Sequence, residues 1–237
     1  FRQTIEQINT YLTDRLHFSL IDLIASSSIE KSYSVVQTQL LSFSIQIALV
    51  RMWMSWGITP SKVVGHSLGE VAAAHVSGAL TLEDALEVVI QRSYCAEKMQ
   101  NKGRMLVAQV DKNTALKFVQ ESNKKIVIAV YNSPTSHVFA GDIDFLNKIK
   151  AQLEQKGIFA RFLSASTYPS HSFYMKAIEE ELFYNLKSIQ PKNTMIPFYS
   201  TVTGKEQDGS LLHAQYWCDN LCKPVMFQNT IGNLFQS

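Results

Sequence analysis

The sequence predicts an α/β protein: a hydrolase-like core on a parallel sheet, interrupted by a ferredoxin-like subdomain. Three observations carry this. Lys62-Val63-Val64 is β-branched and runs directly into a glycine-rich turn and a helix of small residues, as a buried parallel strand does. From Arg104 to Leu163 the signals follow the order βαββαβ, the split unit of ferredoxin-like folds. Helical patterns on either side can cover a sheet. The expected limits are 1–103 for the first part of the core, 104–165 for the subdomain and 166–237 for the second part of the core.

Taken in order, Phe1 to Leu23 reads as one helix with Ile5, Ile8, Leu12 and Leu16 on a single face, broken at Ser26-Ser27-Ser28. Gln37 to Trp56 reads as a long packing helix, apolar on most sides and ended by Gly57. A strand at 62–65 and a helix over 68–78 follow. Thr81 with Asp84 marks the start of a helix reaching about Asn101. Inside the subdomain, strands are expected at 105–110, 126–131, 136–140 and 158–163, with helices at 113–122 and 142–156. Asp142 is placed to cap the second of these helices and Gly157 to end it. Met175, Ile178, Leu182 and Leu186 give a further helix, Ile196 to Thr201 a strand, and Trp217 to Phe235 a tail.

Composition narrows the function classes. With 46% hydrophobic and 18% charged residues the chain can bury a core, which excludes disorder. A net charge of +2 gives no electrostatic case for nucleic acid or an anionic membrane. Three cysteines cannot staple a secreted fold, so a cytoplasmic location is expected. The best apolar stretch, Leu40 to Trp56, is interrupted by Ser42, Ser44, Gln46 and Arg51 and falls short of the roughly 20 residues of a membrane helix. No signal peptide is visible. Cys218 and Cys222 lack His or Cys partners at zinc spacing, so no metal is expected.

Gly65-His66-Ser67-Leu68-Gly69 has the GxSxG pattern. On a strand-to-helix turn so tight that only glycine fits beside the serine, the Ser67 hydroxyl reaches the helix N-terminus, where N–H groups can stabilise an oxyanion. A serine nucleophile needs a base. Of six histidines, His66 adjoins the serine but points elsewhere on the turn, His75 lies within the helix, and His137 sits in the inserted module. His171, in a Pro-containing loop where the chain returns to the core, is preferred, with His213 as the alternative. No acid stands out to complete a triad, because Asp142 and Asp144 read as helix caps; a Ser–His dyad oriented by a backbone carbonyl remains open. Arg92 falls on the apolar stripe of its helix with Ala85, Val88, Val89, Ala96 and Met99. A guanidinium there needs an anion. It is a structural ion pair with a core acid, a side chain that snorkels to the surface, or a bidentate clamp for a substrate carboxylate.

Gly65-His66-Ser67-Leu68-Gly69-Glu70, Arg92 at 25 residues from Ser67, Tyr168-Pro169-Ser170-His171-Ser172, and Asn220-Leu221 through Pro224-Val225-Met226-Phe227 together resemble the acyltransferase domains of modular polyketide synthases. They are also similar to the malonyl-CoA:acyl-carrier-protein transacylases of fatty-acid synthesis. The resemblance spans nearly the whole chain. It implies Ser67 as the acylated nucleophile, His171 as general base and acid, Arg92 as the clamp on the extender's carboxylate and the Leu68 N–H as an oxyanion donor. It also implies the Asn220 backbone carbonyl as the orienter of His171, with His66, Tyr168 and Ser170 beside the substrate. No cofactor is implied to stay bound; acyl-CoA is the substrate and the acceptor is the phosphopantetheine of an acyl carrier protein, with a ketosynthase domain as neighbour.

The tetrad Tyr168-Pro169-Ser170-His171 resembles the methylmalonyl pattern at three positions, since Ser170 in place of phenylalanine frees room for a methyl branch, whereas Leu68 belongs with malonyl. The family opens with a strand and a Gly-Gln-Gly turn that this sequence does not contain, and ends with a strand and helix beyond Ser237, so a piece of a larger polypeptide is expected. Two other readings stand beside this one: a serine esterase or thioesterase, for which a buried cation has no use, and a non-catalytic segment of a megasynthase.

Overall fold

The computed structural model describes residues 1–26, 33–164 and 167–236. Ser27 and Ser28 of the expected break, and the expected boundary at 165/166, lie outside the described residues.

Three helices open the chain. α1 (Arg2–Leu16) buries Ile5, Ile8 and Leu12. The single helix expected to Leu23 is two helices: His17 adopts a left-handed φ of 52° at the end of α1, and Ser19 accepts a hydrogen bond from Asp22 N at 3.1 Å to start α2 (Leu20–Ala25). α3 (Val35–Ser55) begins two residues before the expected point, because Ser34 and Gln37 close a capping box. At 21 residues α3 is long and apolar enough to cross a membrane by length and composition, which corrects the expectation of no such run. Here it packs against α1 and against α4 and α5, defined next. Its opposite face leaves Leu49, Trp53 and Met54 exposed, so it is not buried on most sides.

β1 (Val63–Val64) leads into α4 (Gly69–Val76), and Thr81 caps α5 (Leu82–Glu97). The middle of the chain then gives β2 (Arg104–Ala108), α6 (Lys112–Glu121), β3 (Ile126–Ser133), β4 (Ser136–Gly141), α7 (Ile143–Gln155) and β5 (Ala160–Phe162). These four strands form an antiparallel sheet in the order β3-β4-β2-β5. Period-2 alternation sorts its side chains. Leu106, Ala108, Ile128 and Phe139 pack with Leu146, Ile149 and Leu153 of α7 and with Phe118 of α6. Met105, Val130, Val138 and Ala140 form a separate cluster on the other side, with Val107 and Leu163 against it.

The helix expected around Met175 and Leu186 is a 3₁₀ segment, Phe173–Ile178, continuing into α8 (Glu179–Leu186). β6 (Phe198–Ser200) pairs parallel with β1 and antiparallel with β7 (Lys205–Gln207), a short strand the sequence does not announce. The core sheet among the described residues is thus mixed, with β1 at its edge. α9 (Ala214–Cys222) and α10 (Phe227–Gln236) close the chain. Between them Val225 lies alongside β3: Tyr131 N donates to Val225 O and Val225 N to Ala129 O, each at 2.9 Å.

Candidate active site

The turn after β1 has the strain its pattern implies. Ser67 sits at φ 55°, outside the region L-residues favour. A Cβ on Gly65 would lie 2.2 Å from Glu70 N, so no side chain fits there. Gly69 differs: its added Cβ would meet only Gln46 Oε1 at 4.0 Å, so the second glycine of the pattern is not sterically required. Leu68 stands at the N-terminal end of α4, where amides are without intrahelical acceptors.

Ser67 Oγ lies 2.7 Å from His171 Nε2, and His171 Nδ1 lies 3.0 Å from the Lys223 carbonyl. A carbonyl only accepts, so Nδ1 carries the proton and Nε2 is free to accept from Ser67. The expected role of the Asn220 carbonyl is therefore shared: Lys223 takes the hydrogen bond, and Asn220 is a lesser acceptor beside the ring. Two features explain this. Pro224 has no N–H to give the Asn220 carbonyl, and Lys223 leaves α9 in an extended conformation that turns its own carbonyl outward. Burial, then the Arg92 charge, push the His171 imidazole down to about 3. His171 has a left-handed φ of 58°, as Ser67 does.

The other histidines are accounted for elsewhere. His75 Nδ1 meets Leu80 O at 3.0 Å, His137 Nδ1 meets Val110 O at 2.9 Å, His17 ends α1, and His213 is the exposed residue before α9. His66 lines the same cavity as Ser67 without bonding it: its Nε2 lies 2.9 Å from Asn132 Oδ1 at the tip of β3, and its ring tilts on Phe227.

Arg92 is 1% exposed and reaches the serine. Nη2 donates to Ser67 Oγ at 3.0 Å, Nη1 to Gln39 Oε1 at 2.8 Å and Nε to Asn220 Oδ1 at 3.2 Å. All three partners are neutral, so the structural ion pair considered above is not what these bonds make. Tyr168 is buried close by, its hydroxyl accepting from Gln39 Nε2 at 2.9 Å. Ser170 Oγ points to Met105 Sδ at 2.9 Å.

These groups converge on a cavity of about 310 Å³ lined by Ser67, His171, Arg92, Gln39, Tyr168 and Ser170 on one side. Met105, Val107, Val130, Val138 and Leu163 of the antiparallel sheet region line the other. A larger groove of about 590 Å³ runs between α3 and α4 past β1, but Lys62 is its one ionisable lining residue, so it lacks a nucleophile–base pair. Among the described residues no three His, Cys, Asp or Glu side chains gather as a metal site.

Sequence reasoning missed Gln39, Glu70 and the side chain of Asn220. Each left a trace. Gln39 is an amide on the buried stripe of α3 between Val35 and Phe43, and Glu70 is an acid that opens a run of small apolar residues.

The comparisons with known proteins agree with this geometry. The family model "Acyl transferase domain" matches residues 1–237. The chain is 34% identical over 241 residues to the spectinabilin polyketide synthase system protein NorC of Streptomyces orinoci, covering 100% of this chain and 10% of that protein. It superposes with TM-score 0.93 and 29% identity on the acyltransferase domain from module 8 of the salinomycin polyketide synthase, covering 99% of this chain and 56% of that one. A loading acyltransferase from the avermectin modular polyketide synthase gives TM-score 0.93 and 30% identity, with 99% and 75% covered. A serine held on a strained turn, a histidine that can accept its proton and a full-length family match together place this chain in the acyl transferase domain family.

Proposed function

We propose that the protein loads a carboxyacyl unit, methylmalonyl or malonyl, from coenzyme A onto Ser67 and passes it to the phosphopantetheine thiol of an acyl carrier protein. The observation that carries this is the line Arg92 Nη2, Ser67 Oγ, His171 Nε2, with separations of 3.0 and 2.7 Å. A cation without a carboxylate partner beside a nucleophile suits an acyl group that brings its own carboxylate. A simple esterase gains nothing from it.

The chemistry is ping-pong. His171 Nε2 takes the Ser67 hydroxyl proton as Oγ attacks the thioester carbonyl. The developing oxyanion lies near the Leu68 N–H. The C–S bond breaks, His171 returns the proton to the departing thiolate of coenzyme A, and an acyl-serine is left. The carrier's thiol repeats the sequence in reverse, giving its proton to His171 and receiving the acyl group. His66, Tyr168 and Ser170 border the acyl group. The relatives being synthases, a neighbouring ketosynthase and a cytoplasmic location belong to the same reading.

The architecture belongs to it too: a hydrolase-like core over 1–103 and 166–237 with a ferredoxin-like insert at 104–165. The βαββαβ order and the sheet order β3-β4-β2-β5 support the insert, and the parallel β1–β6 pair the core.

Intact-mass spectrometry after incubation with single acyl-CoAs tests the reading. A carboxyacyl mass increment located on Ser67 by digestion, and lost in Ser67→Ala, is expected. An adduct that persists in Ser67→Ala sinks it.

A further inference from the structure

Glu70 is a buried acid that this chemistry leaves unused; burial pushes its pKa up, and the hydrogen bonds it accepts from Thr201, Tyr216 and Asn220 pull it back toward the carboxylate. It lies in the first turn of α4, fully buried, and does not line the cavity. Its carboxylate is surrounded by donors: the Thr201 N–H, the Thr201 hydroxyl at 2.8 Å, the Tyr216 hydroxyl at 2.8 Å and Asn220 Nδ2 at 2.8 Å. Asn220 stands between it and Arg92. The Asn220 amide gives hydrogens to Glu70 Oε2 and to the Ser67 carbonyl at 3.2 Å, which leaves Oδ1 for Arg92 Nε. An amide side chain can present either end to a neighbour. A carboxylate oxygen and a backbone carbonyl both only accept, so Glu70 and the Ser67 carbonyl together turn the Oδ1 end toward Arg92.

We infer that Glu70 is a positioning residue for carboxylate recognition, a counter-charge held one amide away from Arg92. The inference rests on the reading of Ser67 and Arg92 given above. A buried guanidinium needs an anion near it. A directly paired carboxylate would occupy the Nη1–Nη2 fork that a substrate carboxylate requires. At one remove, Glu70 offsets the charge, and it is Asn220 Oδ1 that engages Nε from behind. The fork then meets neutral oxygens, those of Gln39 and Ser67, with the Tyr168 hydroxyl also against the guanidinium. The same Asn220 holds the Ser67 carbonyl, so the clamp and the strained turn share one anchor.

Glu70→Gln tests this. The substitution keeps volume and an oxygen for Thr201, but sets an NH₂ against the NH₂ of Asn220. Asn220 then loses that acceptor, and with it the brace that holds Oδ1 against Arg92 Nε. Initial rates of malonyl and acetyl loading from their coenzyme A thioesters are measured by intact mass, with a thermal melt on the same samples. The malonyl-to-acetyl ratio is expected to fall about tenfold. A structural role alone would slow both substrates alike, so an unchanged ratio in a cooperatively melting variant overturns the inference. If Glu70→Gln does not fold, Asn220→Ala, which leaves Glu70 its Thr201 and Tyr216 donors, is read by the same ratio: a fall supports the inference and no change overturns it. Ser67→Ala runs alongside. An adduct in that variant would sink the acyl-serine reading, whereas a Ser67-dependent adduct with an unchanged ratio sinks this inference alone.

Discussion

The two walls of the Ser67 cavity are made of different materials. The core wall is hydrogen-bonded polar groups, Ser67, His171, Arg92, Gln39 and Tyr168, each fixed by a named partner. The sheet wall is Met105, Val107, Val130, Val138 and Leu163, which offer volume and little else, apart from Asn132 at the tip of β3, which meets His66. The difference separates two tasks. On the function proposed above, charge and proton transfer fall where long-range hydrogen bonds hold geometry, and the shape around the acyl group falls to side chains that can be exchanged one methyl at a time.

The contrast is tested most severely at the base. His171→Ala should slow acyl loading by about 10²–10⁴, the range of a positioned general base, while His213→Ala stays near wild type. A fall of that size in His213→Ala alone would take the base out of the core wall. Arg92→Ala should cost carboxyacyl loading about 2–5 kcal/mol and spare acetyl or propionyl, as read from the ratio of the two. An unchanged ratio in a folded variant would return Arg92 to structure.

A third test is of stability. His171 is neutral in the fold, with its pKa depressed from 6.5 to about 3. Above pH 6.5 the folded and unfolded chains bind the same number of protons at this site. Between 6.5 and 3 only the unfolded chain binds one, so stability is lost as pH falls through that window, by about 1.4 kcal/mol per pH unit for one proton. Denaturant melts at stepped pH should show a shallower slope for His171→Ala. His75, also lowered by burial, adds loss of the same sign and stays in both proteins.

The smallest effect belongs to the sheet wall. Val107→Ala should shift preference toward a bulkier α-branch by about 1–3 kcal/mol or less with rates otherwise kept. Leu106→Ala, one residue away but on the sealed face toward α7, should leave preference alone and lower stability by about 2–5 kcal/mol. If Leu106→Ala moves preference as Val107→Ala does, the two faces are not separate.

The same division governs what could be read from the sequence. The middle of the chain was legible almost strand by strand, because hydrophobic alternation, the Asp142 cap and Gly157 are local signals. Ser67, His171 and Arg92 were legible as candidates from motif and periodicity. Their mutual bonds were not, since Gln39, Glu70 and Asn220 arrive from helices 53 to 153 residues away from their partners. The split of α1 and α2 at His17 and the strand β7 escaped for a related reason. A single left-handed residue and a three-residue strand carry too little pattern to show.

The stretch from Lys223 to Met226 touches three parts at once. The Lys223 carbonyl holds the His171 ring, Val225 hydrogen-bonds along β3, and Met226 N donates to Thr201 O at 2.7 Å in the core. Thr201 is also a partner of Glu70. These four residues act as a mechanical interlock. Any swing of the sheet away from the core would pull on the peptide whose carbonyl holds the His171 ring. On the function proposed above, admitting the substrate and aiming the base would then be coupled through the chain itself.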